Sequence, residues 1–319
     1  MSKKLSIIMY HYVRDLKNSR YPNINGLDFD LFKEQIEFLH KNFRVVTMEQ
    51  VVDASRGKGE LPENAVLLTF DDGYIDHFTN VFPVLCNYGM QGSFFIPSRI
   101  FLENKLLDSN KLHFILASGE IGNIKTSVLE YLKEYRKEGY DIEPNEILYG
   151  KLAEANRWDD EEVIFVKRLL QNYLPEALRE KIVHKLFLEY VGIPEEKFVK
   201  EVYVNLDQIR CMKKAGMFFG LHGHGHYWLD KLDEEAMKID INTGLDFFRE
   251  FIHKDYMVMN YPYGGYNDQV LSHLKSIGCN LGLGVDPRVA DLEKENLLTL
   301  PRFDTNDFPP KSDRYKGGI

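Results

Sequence analysis

Hydrophobic residues follow two alternating patterns along this chain. Short continuous apolar runs are typical of strands buried in a parallel sheet. They fall at residues 5–10, 65–70, 92–97, 217–222, 256–261, 280–285 and 297–303. Between them, apolar residues recur every three or four positions, which predicts amphipathic helices. These helices are predicted at residues 29–39, 76–88, 206–215, 241–252 and 268–276. About seven alternations of strand and helix favour a closed or nearly closed β/α barrel over an open sheet.

The interval from about residue 104 to residue 200 does not follow this alternation. It is rich in Glu, Lys, Leu and Tyr, and its pattern predicts several consecutive helices without strands between them. We therefore predict an α/β fold, a distorted (β/α)7-type barrel with a helical insertion at about 104–200. No flexible linker marks a separate domain, so we expect one domain over residues 1–319.

Composition and charge exclude some kinds of partner. The chain has 40 basic and 49 acidic residues, and no cluster of lysine and arginine that could follow a phosphate backbone, so we expect no nucleic acid partner. The apolar run near the start is too short for a signal peptide, and no segment reaches the roughly 20 apolar residues of a membrane helix. We expect a cytoplasmic protein without a transmembrane segment, or one that acts at the inner membrane face.

Two adjacent carboxylates, Asp71 and Asp72, follow the apolar run at residues 65–70, and Gly73 permits a tight turn after them. A β/α barrel places its active site at the carboxyl ends of its strands, where this pair is predicted to lie. An isolated Asp-Asp pair can equally cap the helix that follows it. The pair alone does not decide between these two interpretations.

Three histidines, His222, His224 and His226, lie within five residues after another predicted strand. Imidazole nitrogens and a carboxylate oxygen are ligands that hold zinc-like ions with one position open for water. His222 and His226 are four residues apart and could converge on one ion, whereas His224 would point away. The alternative is a polar loop with exposed histidines, but three histidines interleaved with two glycines favour a metal site.

A third segment, Asn260-Tyr261-Pro262-Tyr263-Gly264, ends a further predicted strand. Its proline and glycine indicate a rigid loop, which could be an ordinary turn. It could also form a wall of the same site and direct a backbone N–H at developing negative charge.

Taken in order, the Thr-Phe-Asp-Asp-Gly segment at 69–73, the His-x-x-x-His segment at 222–226 and the Pro-Tyr-Gly segment at 262–264 resemble the polysaccharide deacetylases. The resemblance is to their NodB-like group, carbohydrate esterase family four. Residues 9–13 and 300–303 also look like the two ends of that module. The resemblance implies a metal-dependent hydrolase that removes an acetyl or similar small acyl group from an N-acetylated sugar, a glycan precursor or a nucleotide sugar. It implies a divalent ion, with zinc preferred and cobalt or nickel as alternatives.

The family's residue roles can be carried over by position. Asp71 matches the general base, and Asp72, His222 and His226 match the three metal ligands. Tyr263 matches the residue whose main-chain N–H contributes to the oxyanion hole. These roles suit the chemistry, because an ion and a positioned base together activate water for attack on a carbonyl.

The sequence departs from the family pattern at two points. Asn260 stands where the family usually has an arginine that orients the base, and no histidine near residues 298–304 matches the usual general acid. We keep His11, at the end of the first predicted strand, and the metal-bound water as candidates for the acid, although a structural role for a buried histidine is common. Two other functions stay open: a hydrolase of cyclic or other non-sugar amides, and a sugar-binding protein that has lost catalysis.

Overall fold

The computed structural model describes residues 3–155 and 159–318. These residues form two units. The first comprises the chain up to residue 15, residues 26–104 and the chain from residue 200 onward, and the second comprises residues 16–25 and 105–199. The second unit has nearly the bounds of the predicted insertion, but it also contains residues 16–25, which the sequence pattern did not assign to it.

Within the described residues, every strand lies in the first unit. In chain order they are β1 (Lys4–Tyr10), β2 (Val13–Arg14), β3 (Leu27–Asp28), β4 (Arg44–Val45), β5 (Ala65–Asp71), β6 (Ser93–Ile96), β7 (Phe218–Leu221), β8 (Val258–Asn260), β9 (Leu281–Leu283), β10 (Ala290–Asp291) and β11 (Phe303–Asp304). The main sheet has the parallel order β1-β5-β6-β7-β8-β9, with β4 paired to β5 and β10 paired antiparallel to β1. A separate small sheet joins β2 and β3.

The segment before and within β11 connects the last parallel strand to the first. Leu300 forms a parallel bridge to Leu283 of β9, and Phe303 of β11 pairs in parallel with Ile8 of β1. The sheet is therefore curled, and the predicted β/α barrel is confirmed as the fold class. The strand predicted over 297–303 is not continuous: only Phe303 of that range belongs to β11, and Pro301 has no N–H to donate to a ladder.

The interior of the curled sheet is apolar over most of its depth. Ile7, Leu67 and Val258, which come from three different strands, belong to one fully buried cluster. Side chains alternate across a strand, so Thr69 and Asp71 lie on the same face of β5 as Leu67. The apolar interior therefore ends in polar side chains at the carboxyl end of β5.

The chain also contains thirteen α-helices within the described residues. In chain order they are α1 (Phe29–Asn42), α2 (Met48–Ser55), α3 (Phe82–Tyr88), α4 (Arg99–Leu102), α5 (Asp108–Ser118), α6 (Ile121–Lys137), α7 (Asn145–Leu152), α8 (Glu161–Arg168), α9 (Glu176–Tyr190), α10 (Glu195–Val202), α11 (Leu206–Lys214), α12 (Glu234–Phe247) and α13 (Asp268–Ser276). A π-helical turn, His77–Val81, leads into α3. Among the helices in the described segments, none combines the length and apolar character that crossing a bilayer requires.

Outside the insertion, three helices differ from the sequence prediction, and one of them is the short α4, which was not predicted. Helix α2 was not predicted, although Thr47 and Gln50 form a capping box at its start. The helix predicted over 241–252 begins earlier, at Glu234, where Asp233 caps it, and ends at Phe247. Its prediction ran too far because buried apolar residues continue at helical spacing beyond the end of the helix.

Gly220 of β7 tests how tightly the strands pack. A Cβ added at Gly220 would lie 2.8 Å from the backbone oxygen of Val258 on the neighbouring strand and would clash with the ring of Phe95. We predict that Gly220→Ala lowers the free energy of unfolding by about 1–3 kcal/mol, the usual cost of overpacking. Gly59→Ala, where an added Cβ meets nothing within 4 Å, is the matched control. Equal denaturant midpoints for the two variants would contradict this account of the packing.

Candidate metal and catalytic site

The turn after β5 separates two adjacent carboxylates. Asp71 is the last residue of the strand, while Asp72 has φ 72° and Gly73 has φ 73°. A positive φ is uncommon for a residue other than glycine. Gly73 must be small, because an added Cβ would lie 2.5 Å from Cγ2 of Ile96. The turn gives the two neighbouring carboxylates different surroundings.

Asp72 lies between the two histidines that the sequence analysis proposed as its fellow ligands. Its Oδ1 is 3.4 Å from Nε2 of His222 and 3.1 Å from Nε2 of His226. One candidate ligand atom from each of the three buried residues lies within 4.8 Å of the other two. Burial alone would raise the pKa of Asp72, but His226 and His222 outweigh it and hold that pKa well below the ordinary value. Two imidazoles and one carboxylate so arranged fit a zinc-like ion.

Hydrogen bonds orient two of these three residues. Nδ1 of His222 lies 2.7 Å from the main-chain oxygen of Asn260, and since a carbonyl only accepts, Nδ1 carries the hydrogen. A neutral His222 that binds an ion would therefore present its lone pair on Nε2, the atom that faces Asp72. The hydroxyl of Tyr74 donates to Oδ2 of Asp72 at 2.5 Å, which leaves Oδ1 on the side of the histidines. Tyr74 was not among the predicted site residues.

The loop between the two histidines directs His224 away from them, as its spacing predicted. Nδ1 of His224 is 2.9 Å from the hydroxyl of Ser98, and its Nε2 is 3.2 Å from Oε1 of Glu103. His224 is therefore placed to hold the loop, and Asp72 is contacted by the imidazoles of His222 and His226.

Asp71 has a different partner. Nη1 of Arg302 lies 3.0 Å from Oδ1 of Asp71, and both side chains are buried. The same nitrogen lies 3.2 Å from the hydroxyl of Thr69, and Nε of Arg302 donates to the main-chain oxygen of Gly284 at 2.7 Å. Burial would raise the pKa of Asp71, but Arg302, with His11 and His222, more than offsets it, so the pKa is lowered.

Arg302 lies in the segment 300–303 that resembles one end of the family module, but no role was predicted for it. Its position was informative, because a single arginine inside the apolar segment 297–303 needs a buried partner. Asn260, which stands where the family usually has an arginine, is fully buried. Within the described residues, neither polar atom of its side chain has a hydrogen-bond partner. The charge beside Asp71 is therefore supplied by Arg302 and not by residue 260.

Tyr263 contacts one of the two histidines that face Asp72, and His11 lies near Asp71. The ring of Tyr263 lies 4.7 Å from that of His226 and stacks on Trp228 at 4.8 Å. Nε2 of His11 is 3.9 Å from Oδ2 of Asp71, and its side chain is 40% exposed, so it can reach a bound molecule.

The position of His11 is fixed through its backbone. Nε2 of His77, in the π-helical turn, lies 2.9 Å from the main-chain oxygen of His11, to which it must donate. Burial lowers the pKa of His77 to about 4, so this imidazole is neutral at pH 7. A π-helical turn is often found at a functional site.

Backbone strain is concentrated in the predicted site residues. Asp72, His226 and Tyr263 have φ of 72°, 57° and 57°. In the described segments, the other non-glycine residues with positive φ are Asn64 and Asn104, so three of the five belong to the predicted site. Such strain persists only where surrounding structure enforces it, and it is typical of functional sites.

The chain matches a known protein family. The family model described as Polysaccharide deacetylase matches residues 58–144 and 187–282, more than half of the chain. The chain belongs to the polysaccharide deacetylase family. The matched segments contain the acidic pair, the three histidines and Tyr263.

Several curated relatives carry the name poly-beta-1,6-N-acetyl-D-glucosamine N-deacetylase. The protein from Staphylococcus aureus (strain MRSA252) is 24% identical over 222 residues, which cover 62% of this chain and 74% of that protein. The protein from Escherichia coli (strain K12) is 39% identical over 80 residues, 24% of this chain. That match spans only 12% of the Escherichia coli protein.

Solved structures of deacetylases share the fold along nearly the whole chain. The deacetylase PplD of Streptococcus pyogenes, in complex with acetate, has a TM-score of 0.60 at 16% identity, over 99% of this chain and 98% of that one. IcaB from Ammonifex degensii has a TM-score of 0.55 at 17% identity, over 98% and 96% of the two chains. At these identities the likeness establishes the fold.

The buried pair of Arg302 and Asp71 can be tested by removing its cation. We predict that Arg302→Met lowers the free energy of unfolding at pH 7 by about 3–5 kcal/mol, because the carboxylate stays buried without a counter-charge. Arg288→Met, which removes a half-exposed partner of Glu295, is the control, and its effect should stay within about 1 kcal/mol.

The deficit of Arg302→Met should also depend on pH. In the native protein the pKa of Asp71 is lowered, so its stabilising contribution is present above the unfolded pKa of about 4 and is lost as pH falls through the folded pKa. Without Arg302, burial should raise that pKa, and the variant should lose stability as pH rises above about 4. Unfolding curves in the presence of a chelator should show a deficit that grows from about pH 4 to pH 7. A deficit independent of pH would contradict the assignment.

Proposed function

We propose that this protein is a hydrolase that uses a divalent ion, most suitably zinc, to remove the acetyl group of an N-acetylated sugar in a glycan. The observation that carries this proposal is the division of the acidic pair. Asp72 faces two imidazole nitrogens, while Asp71 is paired with Arg302. Membership of the polysaccharide deacetylase family supports the reaction class.

Asp72, His222 and His226 would hold the ion. Bound there, a divalent ion would polarise the acyl carbonyl and lower the pKa of a water molecule at its open position. The hydrogen bonds from Tyr74 to Asp72 and from His222 to Asn260 orient both ligands before binding. Such outer contacts fix the lone pairs that face the ion.

Asp71 would act as the base. Arg302 lowers the pKa of Asp71 and so keeps this carboxylate ionised at neutral pH. Arg302 contacts Oδ1 of Asp71, while Oδ2 lies on the side of His11. An ionised carboxylate that does not bind the ion retains a lone pair for the proton of the attacking water. The main-chain N–H of Tyr263, in the turn beside His226, would then stabilise the negative charge that develops on the carbonyl oxygen.

His11 would donate the proton to the departing amine. It is partly exposed and lies beside the base, so it can reach the nitrogen of a substrate whose carbonyl carbon is attacked by water. The amide nitrogen must gain a proton before the C–N bond breaks, because an unprotonated amine anion is a very poor leaving group.

The relatives indicate which sugar to test first. The Staphylococcus aureus and Escherichia coli proteins are named for N-acetylglucosamine in a β-1,6-linked polymer. We therefore propose an N-acetylglucosamine unit of an oligosaccharide or polysaccharide as the substrate. Release of acetate from β-1,6-linked N-acetylglucosamine oligomers, compared with chitin oligomers and nucleotide sugars, tests this choice.

The proposed division of roles between Asp71 and Asp72 can be tested by substituting each residue. Asp71→Asn should keep stoichiometric zinc and lose acetate release by about 10² to 10⁴-fold, the usual contribution of a positioned base. Asp72→Asn should weaken zinc binding, and its activity should partly recover at high metal concentration. His226→Ala should empty the site. The measurements are zinc content by elemental analysis and acetate release at equal protein concentration.

Glu63→Gln, an exposed carboxylate near the start of β5, serves as the control and should change neither quantity. If Asp71→Asn lost its zinc while Asp72→Asn kept both zinc and activity, the two roles would be reversed. Full zinc content in both His222→Ala and His226→Ala would show that the ligands are wrong.

The role of His11 gives a second prediction, which depends on the leaving group. His11→Gln should reduce deacetylation of an N-acetylated sugar by about 10² to 10⁴-fold. The same variant should lose much less activity on 4-nitrophenyl acetate, whose phenolate leaves without protonation. His253→Gln, an exposed histidine, is the control. Equal losses of His11→Gln on both substrates would exclude His11 as the acid.

A further inference from the structure

A buried carboxylate outside the predicted site contacts the loop that joins the two histidines. Asp240 lies within α12 and is only 4% exposed. Its Oδ2 accepts the main-chain N–H of His224 at 3.0 Å, and its Oδ1 accepts that of Gly225 at 2.6 Å. Asp240 does not cap its own helix, because Asp233 has that role. Among the described residues, no lysine or arginine pairs with it.

Two carbonyl groups of the same loop accept hydrogen bonds from main-chain N–H groups at the start of α4. The main-chain N–H of Ser98 donates to the oxygen of Gly223 at 3.3 Å, and that of Arg99 donates to the oxygen of His224 at 3.1 Å. Asp240 therefore completes the hydrogen bonding of the loop backbone by accepting N–H groups that would otherwise be buried without a partner.

Two glycines make this contact sterically feasible. Gly223 has φ 70°, and an added Cβ there would clash with Oδ2 of Asp240. Gly244, one turn further along α12, packs so closely on the loop that an added Cβ would lie 2.7 Å from the oxygen of Gly223. The helix and the loop are thus in direct backbone contact, with Asp240 at the centre of that contact.

We propose that Asp240 is a positioning residue that fixes the loop backbone and thereby sets the spacing of His222 and His226 before an ion binds. The inference rests on the proposed metal-binding function. Gly223 and Gly225 give the intervening loop wide conformational freedom, so an unrestrained loop would lose entropy when both imidazoles bind one ion. A carboxylate that holds two successive N–H groups removes that freedom in advance and so strengthens binding.

Asp240→Asn is the direct test. The amide has one acceptor oxygen and an NH₂ group that cannot accept, so one of the two loop N–H groups loses its partner. Isothermal titration of zinc into the chelator-stripped full chain should show affinity weakened by about 10 to 100-fold, as for other residues that support metal ligands. Asp246→Asn, an exposed carboxylate on the same helix, should bind zinc like the native protein.

A second variant leaves every charge in place. Gly244→Ala should push α12 away from the loop and weaken zinc binding in the same direction, so the inference can be tested even if Asp240→Asn fails to fold. The unfolding free energy of each metal-free variant is measured in parallel, since a residue with only a structural role would lower that quantity and leave the zinc affinity of the folded protein unchanged.

The outcomes separate the two proposals. Native protein that binds zinc, with folded Asp240→Asn or Gly244→Ala binding it within about threefold of native, overturns the positioning role and leaves the proposed function intact. Native protein that binds no zinc overturns both. Weakened zinc binding in both variants, with Asp246→Asn unchanged, supports the positioning role of Asp240.

Discussion

The buried ion pair between Asp71 and Arg302 connects the closure of the barrel with the chemistry of the site. Arg302 lies next to β11, the strand that returns to β1, and it also binds the main-chain oxygen of Gly284 after β9. Thr69, which it contacts on β5, donates in turn to the main-chain oxygen of Ile8 on β1 at 2.7 Å. A buried charge is tolerated only when it is paired, so neither residue of the pair can be removed cheaply. The contacts of Arg302 therefore link β5 with the residues that follow β9 and precede β11, and its charge keeps Asp71 ionised.

The rest of the site follows from how the backbone turns at the carboxyl ends of the strands. Asp72 adopts a positive φ immediately after β5, and this turn lets adjacent carboxylates meet different partners, Arg302 on one side and two imidazoles on the other. A regular strand would also separate neighbouring side chains, but it would send them to opposite faces of the sheet. The strained turn brings both carboxylates to one end of the barrel interior, which is the arrangement that a base beside a metal site requires.

Sequence patterns predicted the features that depend on short spacing. Apolar runs located the long parallel strands, and the four-residue interval between His222 and His226 correctly separated them from His224. The contacts that the sequence could not reveal join distant positions. Arg302 and Asp71 are 231 residues apart. The carboxylate of Asp240 accepts hydrogen bonds from main-chain N–H groups of the loop, and such groups leave no residue-specific pattern in the sequence. The extent of α12 was also misjudged, because burial of apolar residues continues past the helix and periodicity reports burial as much as helical structure.

Arg302 also bears on whether the site is catalytic. The absence of an arginine at residue 260 was one reason to keep a sugar-binding protein without turnover as an alternative, because the base would lack its orienting charge. Coulomb interaction depends on the distance and the surroundings of two charges and not on their order in the chain. Arg302 supplies a guanidinium at 3.0 Å from Asp71 in a fully buried setting, and the departure at Asn260 therefore removes no charge from the base. A protein that only bound sugar would have little physical need for a buried ionised carboxylate beside three strained residues, whose conformations cost free energy. The distribution of charge and strain consequently favours the catalytic interpretation.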